Sequence, residues 1–123
     1  MITEDYCSFE VSKLLKEKGF DGECSRFYMP TGNGRWKYAH YHDFDISDRI
    51  DCPTHQMAMS WLREEHNIFI EIGTSIDLNG KYHFNYTILD KECKYVRRGY
   101  TDFDWNYEEA VEASLKYCLE KLI

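Results

Sequence analysis

The chain is poor in the features that announce most functions. Two prolines and seven glycines are spread over 123 residues, with no repeat, no low-complexity tract and no proline-rich linker. One domain spanning 1–123 is therefore expected. No apolar run approaches the roughly 20 residues needed to cross a bilayer, so no membrane partner is expected. The five cysteines, Cys7, Cys24, Cys52, Cys93 and Cys118, are odd in number and irregular in spacing, and no CxxC pair occurs. Met1 is followed at once by Thr3, Glu4 and Asp5, unlike a secretory signal. Free thiols in a reducing, cytoplasmic compartment follow as the expectation. Positive charge is also short, with 15 basic against 22 acidic residues and a net charge of −7. That balance disfavours a phosphate backbone as partner.

What is present argues for a folded α+β domain. Hydrophobic residues make up 43% and aromatics 16% of the chain, far from a disordered composition. Such a length can bury a core without disulfides or metal. Val11, Leu14 and Leu15 share a helical face from about Ser8 to Lys18, with Ser8 as N-cap and Gly19 as the stop, and Phe20 packs back on Leu15. Arg26–Met29 and Arg35–Tyr41 read as two short strands around the breakers Pro30, Gly32 and Gly34. The hairpin would expose or share Phe27, Tyr28, Trp36, Tyr38 and Tyr41. An acidic loop follows, carrying Asp43, Asp45, Asp48 and Asp51.

The second helix begins after Cys52, with Pro53 in its first turn, and stops at Asn67. Ala58, Met59, Trp61 and Leu62 form its apolar arc, and Glu65 falls inside that arc by angle. Ile68–Ile76 and Lys81–Leu89 form a hairpin about Asn79-Gly80, read as a two-residue type I′ turn. In that register Ile76 faces His83, and the apolar residues of the two strands fall on opposite faces. A bulge near Gly73 is expected to reunite them. A fifth strand covers about Cys93–Arg98. Asn106 with Glu109 opens the last helix in capping-box style, and Tyr107, Val111, Leu115, Cys118 and Leu122 form its stripe. The expected fold is an antiparallel sheet of about five strands packed by three helices, mainly on one face.

Three blocks resemble a group of small uncharacterised proteins from gut Bacteroidales and their phages or mobile elements: SFEVSKLLKEKGFD, CPTHQMAMSWLREEHNIFIEI and NYEEAVEASLKYCLEKLI. The resemblance supports the element boundaries and a cytoplasmic compartment, and an accessory protein of a phage or mobile element is the working expectation beside it. The resemblance implies no ligand and no catalytic residue. The position of Glu65 is apolar in that group, a departure that matches the apolar arc.

No arrangement of groups in the sequence performs a recognisable reaction, and no cofactor is expected. The working expectation is a non-enzymatic interaction protein whose partner is another protein or a second copy of itself. Its contact would be made by the patch Tyr28, Trp36, Tyr38 and Tyr41, because Tyr and Trp anchor interfaces well, or by an exposed sheet edge. Two rivals come from other classes. Lys94, Arg97 and Arg98, beside Tyr95 and Tyr100, could hold nucleic acid. The order helix, three strands, helix from residue 53 resembles the double-stranded-RNA-binding domain, but Glu108, Glu109 and Glu112 stand where phosphate contacts belong. The plainer reading is an edge strand charged against aggregation. His40, His42, Cys52 and His55 could hold zinc for a small hydrolase, although their spacing matches no structural zinc pattern. Cys52, near a helix start, could have a lowered pKa, but a structural role is the expectation for it, as packing is for Cys7 and Cys118. The aspartates of the acidic loop lack the glycine and closing Glu of a calcium loop. Asp102 and Asp104 beside Trp105 could make a sugar- or cation-facing edge, and loop solubility explains them as well.

Overall fold

Each helix starts on a side-chain oxygen that replaces a missing backbone partner. Ser8 Oγ accepts from Val11 N (3.2 Å) ahead of α1, Phe9–Glu17. Thr54 Oγ1 accepts from Met57 N (3.1 Å) ahead of α2, His55–His66. Asn106 and Glu109 form a full capping box ahead of α3, Tyr107–Tyr117, as the sequence predicts. A π-helical turn, Cys118–Leu122, extends α3. Pro53 lies one residue before the cap of α2, not in its first turn. The reason is that Pro53 O accepts from Cys7 N (2.9 Å) and Thr54 bridges Tyr6, so this stretch is held extended. Gly19, at φ +91°, closes α1 with Phe20 N bonded to Leu15 O (2.9 Å). Asn67, in the left-handed region, stops α2 as expected, and Glu65 is exposed in its last turn.

The computed structural model describes residues 5–31, 34–40, 49–99 and 106–123, with the backbone alone at 39 and 40. Among these, six strands divide into two antiparallel sheets. The first runs β2-β1-β3, from Arg26–Pro30 (β1), Trp36–His40 (β2) and Ile50–Asp51 (β3). The second runs β4-β5-β6, from Phe69–Ile76 (β4), Tyr82–Leu89 (β5) and Tyr95–Gly99 (β6). The class is the expected α+β fold with three helices, but the strands do not join into one sheet. β1 is already paired on both sides, by β2 and by β3. α1 packs between β3 and α3, while α2 and α3 cover one face of the second sheet. None of the described helices is long and apolar enough to cross a membrane.

The β4–β5 pairing corrects the expected turn. Ile76 faces Tyr82, not His83, and the ladder runs unbroken past Gly73, which faces Asn85. The loop is Leu78-Asn79-Gly80, closed by Asp77 N to Lys81 O (2.9 Å), and Gly80 alone takes positive φ (+79°). The one-residue shift expected from a bulge is therefore made at the turn. Its cause is Asp77, whose Oδ1 accepts from Asn79 N (2.8 Å) and Lys81 N (2.9 Å). Ile70, Ile72, Tyr86 and Ile88 now share one face. The β5–β6 turn repeats the device: Asp90 Oδ1 accepts from Glu92 N (2.8 Å) and Lys94 N (3.1 Å), and Cys93 sits at φ +61°.

That united face meets the helices. Leu15, Ala58, Leu62, Ile88, Val111, Leu115, Cys118 and Leu119 are fully out of water. Leu119, outside the predicted stripe, follows Leu115 by one turn. Tyr107, inside it, is exposed and only edges Phe84 (5.7 Å).

Two tests follow. The Tyr86 ring lies over Gly99 so closely that a Cβ there would stand 2.2 Å from Cε1. Gly99→Ala is expected to cost about 1–3 kcal/mol through overpacking, read as a lowered denaturation midpoint. Asp77 is held below its ordinary pKa by the His83 ring and the Lys81 amide, and Asp90 by the Lys94 and Glu92 amides. A depressed carboxyl lends stability above its unfolded pKa of about 3.9, and that stability is lost as pH falls through the lower folded value. The Asp77→Asn/Asp90→Asn variant should show a shallower acid limb than the wild type in pH-dependent thermal melts. Equal slopes would refute the role given to these turns.

Candidate interaction surface

Strand alternation puts Arg26, Tyr28 and Pro30 on one face of β1, and Phe27 and Met29 on the other. Pairing of Tyr28 with Tyr38 and of Pro30 with Trp36 adds Tyr38 and Trp36 to the first face. Phe9, the first residue of α1, reaches the same face. Its ring lies 5.1 Å from Tyr28, edge-on, and 5.4 Å from Trp36. Tyr28 meets Tyr38 edge-on at 5.5 Å. Arg26 closes the row. Its guanidinium stands 4.0 Å over the Tyr6 ring, and Nη1 donates to Tyr38 Oη (2.7 Å).

The result is a continuous row, Trp36–Phe9–Tyr28–Tyr38–Arg26–Tyr6. Trp36 and Tyr38 are its exposed members, at 39% and 40% of full accessibility. Tyr28 ties the row to the interior. Burial, together with Cys52, pushes its hydroxyl up to about 12. Phe27, expected with the hairpin aromatics, is buried at 1% exposure on the opposite face. Tyr41 lies outside the described residues. Tyr6, Phe9 and Arg26 were absent from the expected patch. Strand alternation alone would have added Arg26, but Phe9 and Tyr6 come from another part of the chain and carry no local signal.

The other candidates are dispersed or internally satisfied. Lys94 pairs with Glu92 (3.3 Å). Arg97 faces Ile88 across the ladder, on the helix side, and stacks 4.7 Å over Tyr117. Its bond to Tyr86 holds its pKa above the usual value. Arg98 is on the opposite face, 4.6 Å over Tyr95. The two arginines therefore do not form one patch. The helix–three strands–helix order is present, but Glu108 and Glu109 stand exposed at the start of α3.

Of the proposed zinc ligands, the His40 side chain and His42 lie outside the described residues. Cys52 donates to Cys7 O (3.2 Å), whereas His55 Nε2 lies 3.3 Å from Glu112 Oε1. Glu112 also accepts from Ser8 N (2.6 Å) and Ser8 Oγ (3.3 Å), so one carboxylate joins the starts of α1 and α2 to α3. Among the described residues, no three ligand side chains gather as a metal site.

The lowered pKa that a helix start could give Cys52 is absent: it is raised, chiefly by burial, in keeping with the structural role expected of it. Its thiol points inward beside the Ser12 and Tyr28 hydroxyls, and α2 starts three residues later. Burial likewise raises Cys7, and pushes Cys24 and Cys118 up to about 12. Such thiols are poor nucleophiles at neutral pH. Asp51 pairs with Arg49 (3.2 Å) at an open groove of about 680 Å³, lined also by Asp21, Glu23 and Cys24. Asp43, Asp45, Asp48, Asp102, Asp104 and Trp105 lie outside the described residues.

Thiol accessibility tests this placement. A chromogenic disulfide reagent should titrate Cys93 at once and half-buried Cys24 slowly, with Cys7, Cys52 and Cys118 reacting only after denaturation. Rapid reaction of Cys52 in the native protein would contradict its placement.

No family model matches the chain, and no curated protein or solved structure matches it either.

Proposed function

We propose that the chain is a non-enzymatic binding module that engages a protein partner through the aromatic face of β1, β2 and the start of α1. One observation carries this reading: the row of rings is packed in advance, yet leaves Trp36 and Tyr38 open. Rings already held by their neighbours lose little freedom on binding, so more of the contact energy remains as affinity. Partly exposed Trp, Tyr and Arg are the residue types that dominate measured interfaces. The buried, protonated thiols and the engagement of His55 with Glu112 argue for packing roles at the groups that would otherwise suggest chemistry. The resemblance of the three sequence blocks supports a setting in the bacterial cytoplasm, as an accessory protein of a phage or mobile element.

Affinity purification from the native host tests the proposal. The tagged wild type should retain a stoichiometric partner that is lost in Trp36→Ala/Tyr38→Ala, with the far-UV spectrum and melting midpoint preserved. Truncating two such anchors should weaken binding by about 2–4 kcal/mol. Undiminished capture by the folded double variant would overturn the assignment.

A further inference from the structure

The strand edges exposed in this fold are not protected equally. β6 carries Arg97 and Arg98, follows Lys94, and its pairing with β5 is broken by a register shift at Ile88/Leu89. Charge and irregularity of this kind discourage a further strand from adding. β2 carries Lys37 and follows Arg35. β4 has neither device. It is eight residues long, unbroken, free of proline and lysine, and Glu71 is its only charge.

The ladder decides which β4 groups are open. Asp77 N bonds to Lys81 O, so Asp77 and Lys81 form a hydrogen-bonded pair. Alternation along an antiparallel ladder then gives Phe69, Glu71, Gly73 and Ser75 their backbone bonds to β5. The backbone N–H and C=O groups of Ile70, Ile72, Thr74 and Ile76 point the other way. β4 has no strand on that side among the described residues. The side chains of these four residues lie on the helix face with Ile88. Ile70 and Ile72 are half-buried there, and Ile76 is 59% exposed.

We infer that β4 is the seam of a symmetric dimer, in which β4 pairs antiparallel with β4 of a second copy about a twofold axis at Gly73. In that register Ile70 faces Ile76 of the other copy and Ile72 faces Thr74, and each relation recurs by symmetry. Every outward N–H and C=O of the four residues gains a partner. Ile76, the exposed apolar residue at the strand end, comes to lie beside Ile70. Glu71 faces Ser75, so the single charge on the strand does not oppose its own copy. Isologous pairing of this kind closes on itself. The protected β6 edges remain outermost, which prevents growth into a fibre. The seam lies in the second sheet, apart from the aromatic face in the first. It therefore does not depend on the proposed partner-binding role.

Sedimentation velocity over a concentration series, with amide hydrogen exchange, tests the seam. The wild type should shift from monomer to dimer with rising concentration. The amides of Ile70, Ile72, Thr74 and Ile76 should exchange more slowly in the dimer. Thr74→Pro removes an N–H that makes no bond to β5, and Ile76→Lys places a charge at an exposed edge position. Both variants should be monomeric with melting midpoints close to that of the dilute wild type. If the proline variant does not fold, Ile76→Lys decides alone. Trp36→Ala/Tyr38→Ala should leave the dimer intact, which separates this result from loss of partner binding. A wild type that stays monomeric up to about 1 mM overturns the inference. So does a dimer that survives the edge substitutions, or one whose four β4 amides exchange as fast as in the monomer.

Discussion

One apolar seam sustains everything else in the molecule. Leu15 of α1, Leu62 of α2, Val111 and Leu115 of α3, and Ile88 of β5 are each fully buried in a common cluster. Burial of a side chain of this size contributes about 1.5–3 kcal/mol. No helix of this length is stable alone in water, so the helices depend on this shared cluster, in which α3 packs on β5, α2 on β4 and both α1 and α2 on α3. Tyr86, next to Ile88 on that face, needs the absence of a side chain at Gly99 to lie flat. The core thereby constrains the edge strand as well.

Polar contacts orient what the apolar seam holds together. Hydrophobic burial is non-directional, and it would tolerate several angles between the helices. Glu112 narrows them by accepting from Ser8 and meeting His55, which lie at the starts of different helices. The adjoining stretch repeats the theme. Residues around Cys7 and Cys52 are extended, bonded backbone to backbone, and carry thiols turned inward. The Cys7 and Cys52 thiols and the His55 imidazole join segments distant in the sequence.

The first sheet is where this packing meets the exterior. Phe27 faces inward and is buried, whereas Tyr28, its neighbour, faces the aromatic row. A single strand thus carries the internal packing on one side and the aromatic face on the other. α1 makes the same division, with Val11 and Leu15 inward and Phe9 outward against Trp36. The rings pack on one another and on elements held by the core, the arrangement that the proposed interface asks of its anchors.

Local chemistry made much of this legible without coordinates. The Ser8 cap, the Gly19 and Asn67 stops and the Asn106/Glu109 box depend only on neighbours in sequence, and each stands where the side chains place it. The α+β class and three helices follow from periodicity, which survives any tertiary arrangement. Three things were not legible. The turn at Asp77 departs from the Asn-Gly pattern because a carboxylate bonding two amides outweighs that preference, and one residue of loop length then moves the register. The division into two sheets depends on β3 pairing with β1, a contact between segments more than twenty residues apart. The aromatic face shows both sides of the boundary. Tyr28, Trp36 and Tyr38 could be named from a hairpin pattern. Arg26 follows from the same alternation, whereas Tyr6 and Phe9 joined them only because folding brought the start of the chain against that hairpin, and no sequence periodicity encodes such a meeting.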